Sequence, residues 1–378
     1  MTFPLRPLRP IIMKELRQVR RDPTSLGMLL VLPAAIIILV GYALNFDVKH
    51  TPMVIFDQDR TPGSRAFLDK FRHTEYFDER FDAGSYPEIE ELFLRGRAKI
   101  AIVVPAQFAS RLAGGEEVHV QILVDGSDAN TAGQAVATAT RLTADYATRL
   151  VAEAFALRGR SLPAPIDFQP RIWYNPDLIS SKFLVPGLIG FIIVLTAVIS
   201  TSLTVVREKE RGTMEQLMVS PLRPIEIILG KTVPYLGISL IAASAILVLG
   251  YLLFGVEVRG SILFLYAAIT MIILGGLGQG LLISTVTDSQ QVAFMISVFS
   301  SLLPSFLLSG FIFPIATMPL FLQIVSNLAV NKFFLIVVRS VMLKGVSFAA
   351  VWQPFASMAA FAALTLGLSA LRMRKRSV

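Results

Sequence analysis

Residues 289–331 read SQQVAFMISVFSSLLPSFLLSGFIFPIATMPLFLQIVSNLAVN, 43 residues without a formal charge. A membrane-crossing helix needs about 20 apolar residues, so this stretch is long enough for two crossings, and its reading fixes how often the chain traverses a bilayer. Five more uncharged runs surround it, at 23–46, 183–206, 232–256, 260–287 and 345–371. Each supports one crossing. The whole chain of 378 residues is 54% hydrophobic and only 16% charged, against about 25% charged in soluble domains. The charges sit in blocks between the apolar runs, the pattern of lipid-embedded helices.

Charge decides the ambiguous stretch. Lys and Arg in short loops favour the cytoplasmic side. The N-terminal segment carries Arg6, Arg9, Lys14, Arg17, Arg20 and Arg21; segment 207–231 carries Arg207, Lys209, Arg211, Arg223 and Lys231; the tail carries Arg372, Arg374, Lys375 and Arg376. With these three regions inside, the short outer loops hold only Arg259, Lys332, Arg339 and Lys344. A second full crossing within 289–331 would put the tail cluster outside. The pattern predicts one crossing at 289–310, then a re-entrant pair of half-helices over 311–343, suited by Pro304, Pro314 and Pro319. The alternative is one kinked, tilted helix followed by an outer loop.

The expected fold is an α-helical polytopic membrane protein with six transmembrane helices, a re-entrant hairpin after the fifth, and a small α/β extracytoplasmic domain between the first two. The spans are 24–46, 179–206, 232–256, 260–287, 289–310 and 345–371, with both termini in the cytoplasm and 372–378 a basic tail. The expected location is the inner membrane. The first apolar run exceeds the 7–15 residues of a secretory signal and lacks a small-x-small site, so it reads as a retained anchor. Before it, residues 1–23 mix apolar and basic positions. Lys14, Glu15, Arg17, Arg20 and Arg21 mark a helix lying in the membrane interface.

Residues 47–178 are polar enough for a water-exposed fold. Periodicity predicts strands at 53–56, 99–104 and 118–124 and helices at 64–72, 88–96, 107–113 and 130–157, an alternating α/β order. Asp57 with Asp59, and Asp125 with Asp128, could serve acid/base or metal chemistry, but their place beside Gly and Pro at strand ends favours turn formation.

Several functions are disfavoured. The net charge of +8 flanks membrane runs instead of covering one face, which argues against nucleic acid as partner. There is no cysteine, and His50, His73 and His119 lie far apart, so no metal set is expected. Gly230-Lys231-Thr232 lacks the earlier glycine of a phosphate loop, Ile225 standing there. No predicted span carries a buried Asp, Glu, Lys, Arg or His, which ion-coupled carriers place in the membrane. The chain is therefore expected to be no enzyme, to have no catalytic residue, and to take its energy from another subunit.

That subunit needs a surface. The loop at 207–224 reads REKERGTMEQLMVSPLRP. It is dense in charge, then amphipathic with Met214, Leu217 and Met218 on one side, then broken by Pro221 and Pro224. A short rigid helix over 213–219 could pass a push into the next span; an ordinary positive-inside loop is the plainer alternative. This loop resembles the signature loop of ABC-2 type transporter permeases. Lys14-Glu15-Leu16, Val124-Asp125-Gly126-Ser127-Asp128, Ser309-Gly310-Phe311-Ile312-Phe313-Pro314, Met318-Pro319 and Leu343-Lys344-Gly345 are similar too, over nearly the whole chain. The likeness is to the branch with a large first outer loop, often multidrug exporter permeases. Val330-Asn331-Lys332-Phe333-Phe334 departs from it, since relatives often carry a proline there.

The resemblance implies a pair of permeases, identical or paralogous, with a separate ATP-binding subunit beneath each that binds ATP and Mg²⁺. It implies contact with that subunit through Arg207, Glu208, Glu210, Arg211, Gly212, Thr213, Met214, Glu215, Gln216, Leu217, Pro221 and Pro224, braced by the N-terminal helix. On this view Glu208→Lys uncouples hydrolysis from export. Gly276-x-x-x-Gly280 allows close helix packing, either at the pair's seam or inside one protomer. Phe294, Phe299, Phe306 and Phe311 are the candidate path for lipophilic or amphiphilic cargo. Two rival readings stand beside export: a mechanical transmitter that drives a periplasmic adaptor, and an anchored sensor that works through 47–178.

Overall fold

The computed structural model describes residues 8–43, 50–157, 173–175, 179–214 and 224–375. The chain divides into two compact units, one of residues 1–45 with 172–378 and one of 46–171.

The first unit opens with α1 (Leu8–Arg21), whose buried residues Ile11, Glu15 and Val19 recur every fourth position. That spacing lines one helical face. The chain turns at Asp22 into α2 (Pro23–Leu26), a π turn at Gly27–Val31, and α3 (Leu32–Ala43). Pro33 lies two residues beyond the π turn, as expected where a missing N–H loosens the ladder. The last three residues of the predicted first span lie outside the described residues.

The second unit runs β1 (Thr51–Asp57), α4 (Pro62–Arg72), β2 (Phe77–Asp82), α5 (Tyr86–Leu94), β3 (Ile100–Val104), α6 (Phe108–Ala113), β4 (Gln121–Val124) and α7 (Ala129–Leu157). The sheet order is β2-β1-β3-β4. β1 lies parallel to β2 and β3, and β3 antiparallel to β4. Alternation splits the core between the faces. Ile100, Ile102 and Val104 pack with Phe67, Phe71 and Phe108 on one, while Ala101 and Val103 pack with Val54 and Ile89 on the other. Strand β2 is an element the sequence reading lacks.

The four singled-out aspartates complete turns. Asp57 accepts from the Asp59 and Arg60 N–H groups at 3.0 Å each and from the Ser64 hydroxyl at 2.6 Å. Asp59 accepts from the Thr61 hydroxyl and from the Ala109 N–H. Asp128 accepts from Thr131 in the first turn of α7. Asp125 takes the Lys99 ammonium at 2.6 Å, and this contact, with those from Ser127, holds its carboxyl well below the usual range. A depressed carboxylate stabilises the fold above its unfolded value, about 3.9, and loses that contribution as pH falls through the folded value. Asp125→Asn should therefore lower the melting temperature of this unit at pH 7, with the gap to wild type narrowing below about pH 4. Thermal scans at both pH values check this.

The first unit continues with α8 (Ser180–Glu210), α9 (Pro224–Phe254), α10 (Ile262–Val286), α11 (Gln290–Leu303) with a π turn at Pro304–Leu308, α12 (Leu320–Val325), α13 (Val330–Lys344) and α14 (Trp352–Lys375). Among the described residues, five helices are long and apolar enough to cross a membrane: Ser180–Glu210, Ile225–Phe254, Ile262–Val286, Gln290–Leu308 and Trp352–Arg372. A sixth candidate is the pair Leu320–Leu328 and Val330–Lys344, bent by 83°. A shorter apolar helix occupies Leu29–Ala43. This is a helical membrane protein with a small sheet. Three helices overrun the predicted spans: α8 continues to Glu210, past residue 206, α9 starts at Pro224, ahead of residue 232, and α14 continues to Lys375, past residue 371. The spans were cut where charge begins, but some of that charge is neutralised inside the helical bundle.

α8 is the central post, with Leu188, Ile189, Ile192, Ala197 and Val198 buried. α10 lies between α8 and α14 and carries small residues toward both. A Cβ on Gly280 would sit 2.6 Å from the Val198 carbonyl oxygen, and one on Gly276 3.0 Å from Ala197. Toward α14, a Cβ on Gly278 would sit 2.3 Å from the Thr365 hydroxyl. The Gly276-x-x-x-Gly280 pair is thus used within one protomer. Arg339 of α13 stacks over Phe183, 3.6 Å from the ring centroid, and donates to the Phe183 carbonyl, pinning α13 to the start of α8.

Candidate functional site

The end of α8 meets α1, the start of α9 and the α10–α11 turn. Four charged side chains close on one another there. Lys231 donates to Glu208 Oε2 at 2.6 Å and to Glu15 Oε1 at 3.2 Å. Lys14 donates to Glu208 Oε1 and, at 3.4 Å, to Glu15 Oε1. Each carboxylate therefore touches both ammonium groups, and the set is neutral. Lys231 is 1% exposed, Glu15 0% and Glu208 3%. Lys14 lies at the rim. Burial pulls its pKa down, but Glu208 and Glu15 outweigh that and hold it above the ordinary lysine value. Burying charge is costly unless the partners and geometry are good. The cluster fixes α1 to both long helices, and close packing joins it: a Cβ on Gly230 would meet Ile11 Cγ2 at 2.6 Å.

A second ring of contacts spreads from the same helix end. Arg207 pairs with Asp22 at the α1–α2 corner and donates to the Gln290 side chain at 3.3 Å. Glu210 accepts from the Gln290 N–H at 2.7 Å. Lys209 donates to the Thr287 carbonyl at 3.2 Å and to Asp288 at 3.1 Å. Gly212, with φ +70°, ends α8 and redirects the chain. Thr213 is exposed and donates to the Glu208 carbonyl at 3.2 Å. Met214 is buried with Val205, Ile228 and Leu281. Residues 211–214 thus follow directly on the last turn of α8, which contacts α1, α9 and the α10–α11 turn.

Of the loop residues singled out in the sequence, Glu215, Gln216, Leu217 and Pro221 lie outside the described residues, as do 215–219 of the predicted short helix. Pro224 begins α9. Arg211 is exposed, whereas Glu208 faces inward. Glu208→Lys would add a third ammonium to a sealed cluster, so it disrupts folding before it can report on coupling. On α1, Arg17, Arg20 and Arg21 face outward while Glu15 is sealed. The role of Lys231 was hidden in the sequence: its partners Glu15 and Glu208 lie 216 and 23 positions away. The Gly-Lys-Thr triplet is also accounted for, since its ammonium is engaged by two carboxylates.

The four phenylalanines are not brought together. Phe306 and Phe311 pack edge-to-face at 5.4 Å, and Phe306 does the same with Phe191 at 4.6 Å. Phe294 and Phe299 are exposed, the latter by 61%. Among the described residues, no three His, Cys, Asp or Glu side chains converge as metal ligands.

Long apolar helices tied together by ion pairs at one end define a multi-pass membrane protein. A family model described as ABC-2 family transporter protein matches residues 23–371, and the chain belongs to that family. It is an ABC transporter permease of the ABC-2 type. It is 31% identical over 375 residues to "Probable multidrug ABC transporter permease YbhS" of Escherichia coli (strain K12), covering 98% of this chain and 97% of that protein. To "Probable multidrug ABC transporter permease YbhR" of the same strain it is 31% identical over 369 residues, 97% and 98% of the two chains. To "Inner membrane transport permease YhhJ" it is 24% identical over 368 residues, 96% and 95%.

Proposed function

We propose that this chain is the membrane-spanning subunit of an exporter that moves lipophilic or amphiphilic compounds out of the cytoplasm or the inner leaflet. The buried Glu15–Lys231–Glu208–Lys14 cluster is the observation that carries the reading. It makes the end of α8 a rigid junction through which a push on loop 207–231 reaches several helices at once. The names of the relatives support drug-like cargo.

In this account the protein crosses the inner membrane six times, with a re-entrant hairpin over 311–343. Both termini and the loop 207–231 are cytoplasmic, and 47–178 is extracytoplasmic. Two permeases, identical or paralogous, each stand on an ATP-binding subunit. ATP and Mg²⁺ are bound by those subunits, whose closure drives the loops and opens the helices outward. A periplasmic adaptor is an optional further partner.

Co-reconstitution with the ATP-binding subunit into lipid vesicles tests this. ATP should drive a lipophilic fluorescent dye across the bilayer. Arg211→Glu, at an exposed position of the loop, should cut transport at least about tenfold, the equivalent of 1.4 kcal/mol of lost coupling, while hydrolysis by the partner continues. ATP hydrolysis by the permease alone would overturn the reading. Hydrolysis stimulated by the permease without dye movement would transfer the role to mechanical transmission toward an adaptor.

A further inference from the structure

A cavity of about 260 Å³ lies inside the first unit, lined by residues of α8, α10, α11 with its π turn, the α12–α13 corner and α14. One side is polar and under-used. Asn331, the second residue of α13, is 1% exposed, and neither its side-chain nitrogen nor its oxygen has a partner among the described residues. The Ser301 hydroxyl, 2% exposed, is equally unpartnered. Gln279 is already oriented, donating to the Ser300 hydroxyl at 3.1 Å and its carbonyl at 3.3 Å. The backbone makes room for this edge: a Cβ on Gly190 would lie 2.5 Å from Asn331 Oδ1. Leu328, Val330 and Phe361 supply an apolar wall.

Buried polar groups are ordinarily hydrogen-bonded. A carboxamide offers two donors and an acceptor in one plane, and here neither its nitrogen nor its oxygen has a partner among the described residues, nor does the nearby Ser301 hydroxyl. None of the twelve lining residues is charged, so an ion entering would lose its hydration without a counter-charge. The volume falls short of the roughly 300–1,000 Å³ of sites for drug-sized ligands. It suits a polar head and its first few carbons.

We propose that this cavity is a binding site, within a single protomer, for uncharged amphiphiles whose head both donates and accepts hydrogen bonds, with the Asn331 amide as the recognition group. The site needs neither nucleotide nor a second permease, so it stands or falls separately from the transport reading.

The test uses the full chain in phosphatidylethanolamine/phosphatidylglycerol nanodiscs without ATP. Decanamide bearing a diazirine on its chain is photolysed, and adducts are mapped by mass spectrometry. Adducts are expected in segments 300–305 and 328–331. Unlabelled decanamide should protect at a concentration at least tenfold lower than decyl methyl ether, which only accepts, or decylammonium, which is charged. Asn331→Leu should erase that tenfold preference. The wild-type competition decides even if this variant folds poorly, and Ser301→Ala, a smaller change, should weaken protection by amide but not by ether. Absence of adducts in these segments, which would mean a cavity holding water alone, overturns the proposal. Equal protection by amide and ether overturns it too.

Discussion

Lys231→Met should lower the unfolding free energy of the membrane unit by about 3–5 kcal/mol, the usual cost of removing one partner from a buried ion pair. The substitution keeps most of the side-chain volume but leaves Glu208 Oε2 without its 2.6 Å donor and Glu15 without its 3.2 Å donor. Lys14 alone then faces two carboxylates from the rim. α1 should detach from α9, since the cluster and the Ile11–Gly230 contact are its fixed points there. Adding Glu208→Gln should recover part of the loss, because the remaining pair of Glu15 and Lys14 is again neutral. Denaturant titration of the purified chain in bicelles measures both. A loss below about 1 kcal/mol, the range of exposed pairs, would mean that the cluster is solvated.

Gly280→Ile should be nearly as damaging. A Cβ there meets the Val198 carbonyl oxygen at 2.6 Å and the Ser202 nitrogen at 3.1 Å. Both are backbone atoms, so the helices must separate. Overpacking costs about 1–3 kcal/mol, and here separation also loosens the contacts of α10 with α8. Gly237→Ala is the control: a Cβ at that helical position meets nothing within 4 Å, and alanine gains up to about 1 kcal/mol in helix propensity. Thermal aggregation of the two variants should shift in opposite directions from wild type.

Much of the membrane unit could be read in the sequence, because uncharged runs of crossing length leave few alternatives to apolar helices. Treating every charge as a loop marker has a limit, however. Glu208 and Lys231 lie in α8 and α9, where mutual neutralisation lets the helices run on. Such pairing cannot be seen from positions 194 or 216 residues apart. The Gly276-x-x-x-Gly280 spacing announced a close contact without naming its partner, which is α8. In the soluble unit, strands with dense apolar residues were legible. β2 was not, since FDERFD (77–82) offers only Phe77 and Phe81 amid charge. It sits at the sheet edge, where charged side chains reach water and block further pairing. Asn331 looked like a minor departure from a proline-bearing pattern. Its burial beside Gly190 emerges only from the packing of α13 on α8.

The central claim is that the ATP-binding partner acts on the end of α8 where the ion cluster sits. The chain has no cysteine, so single-cysteine variants can be used directly. Thr213→Cys, exposed beside the cluster, should cross-link through a short bis-maleimide to the co-expressed ATP-binding subunit. Leu328→Cys, exposed beside the α12–α13 corner, should not. A cross-link from residue 328 and none from residue 213 would contradict the account.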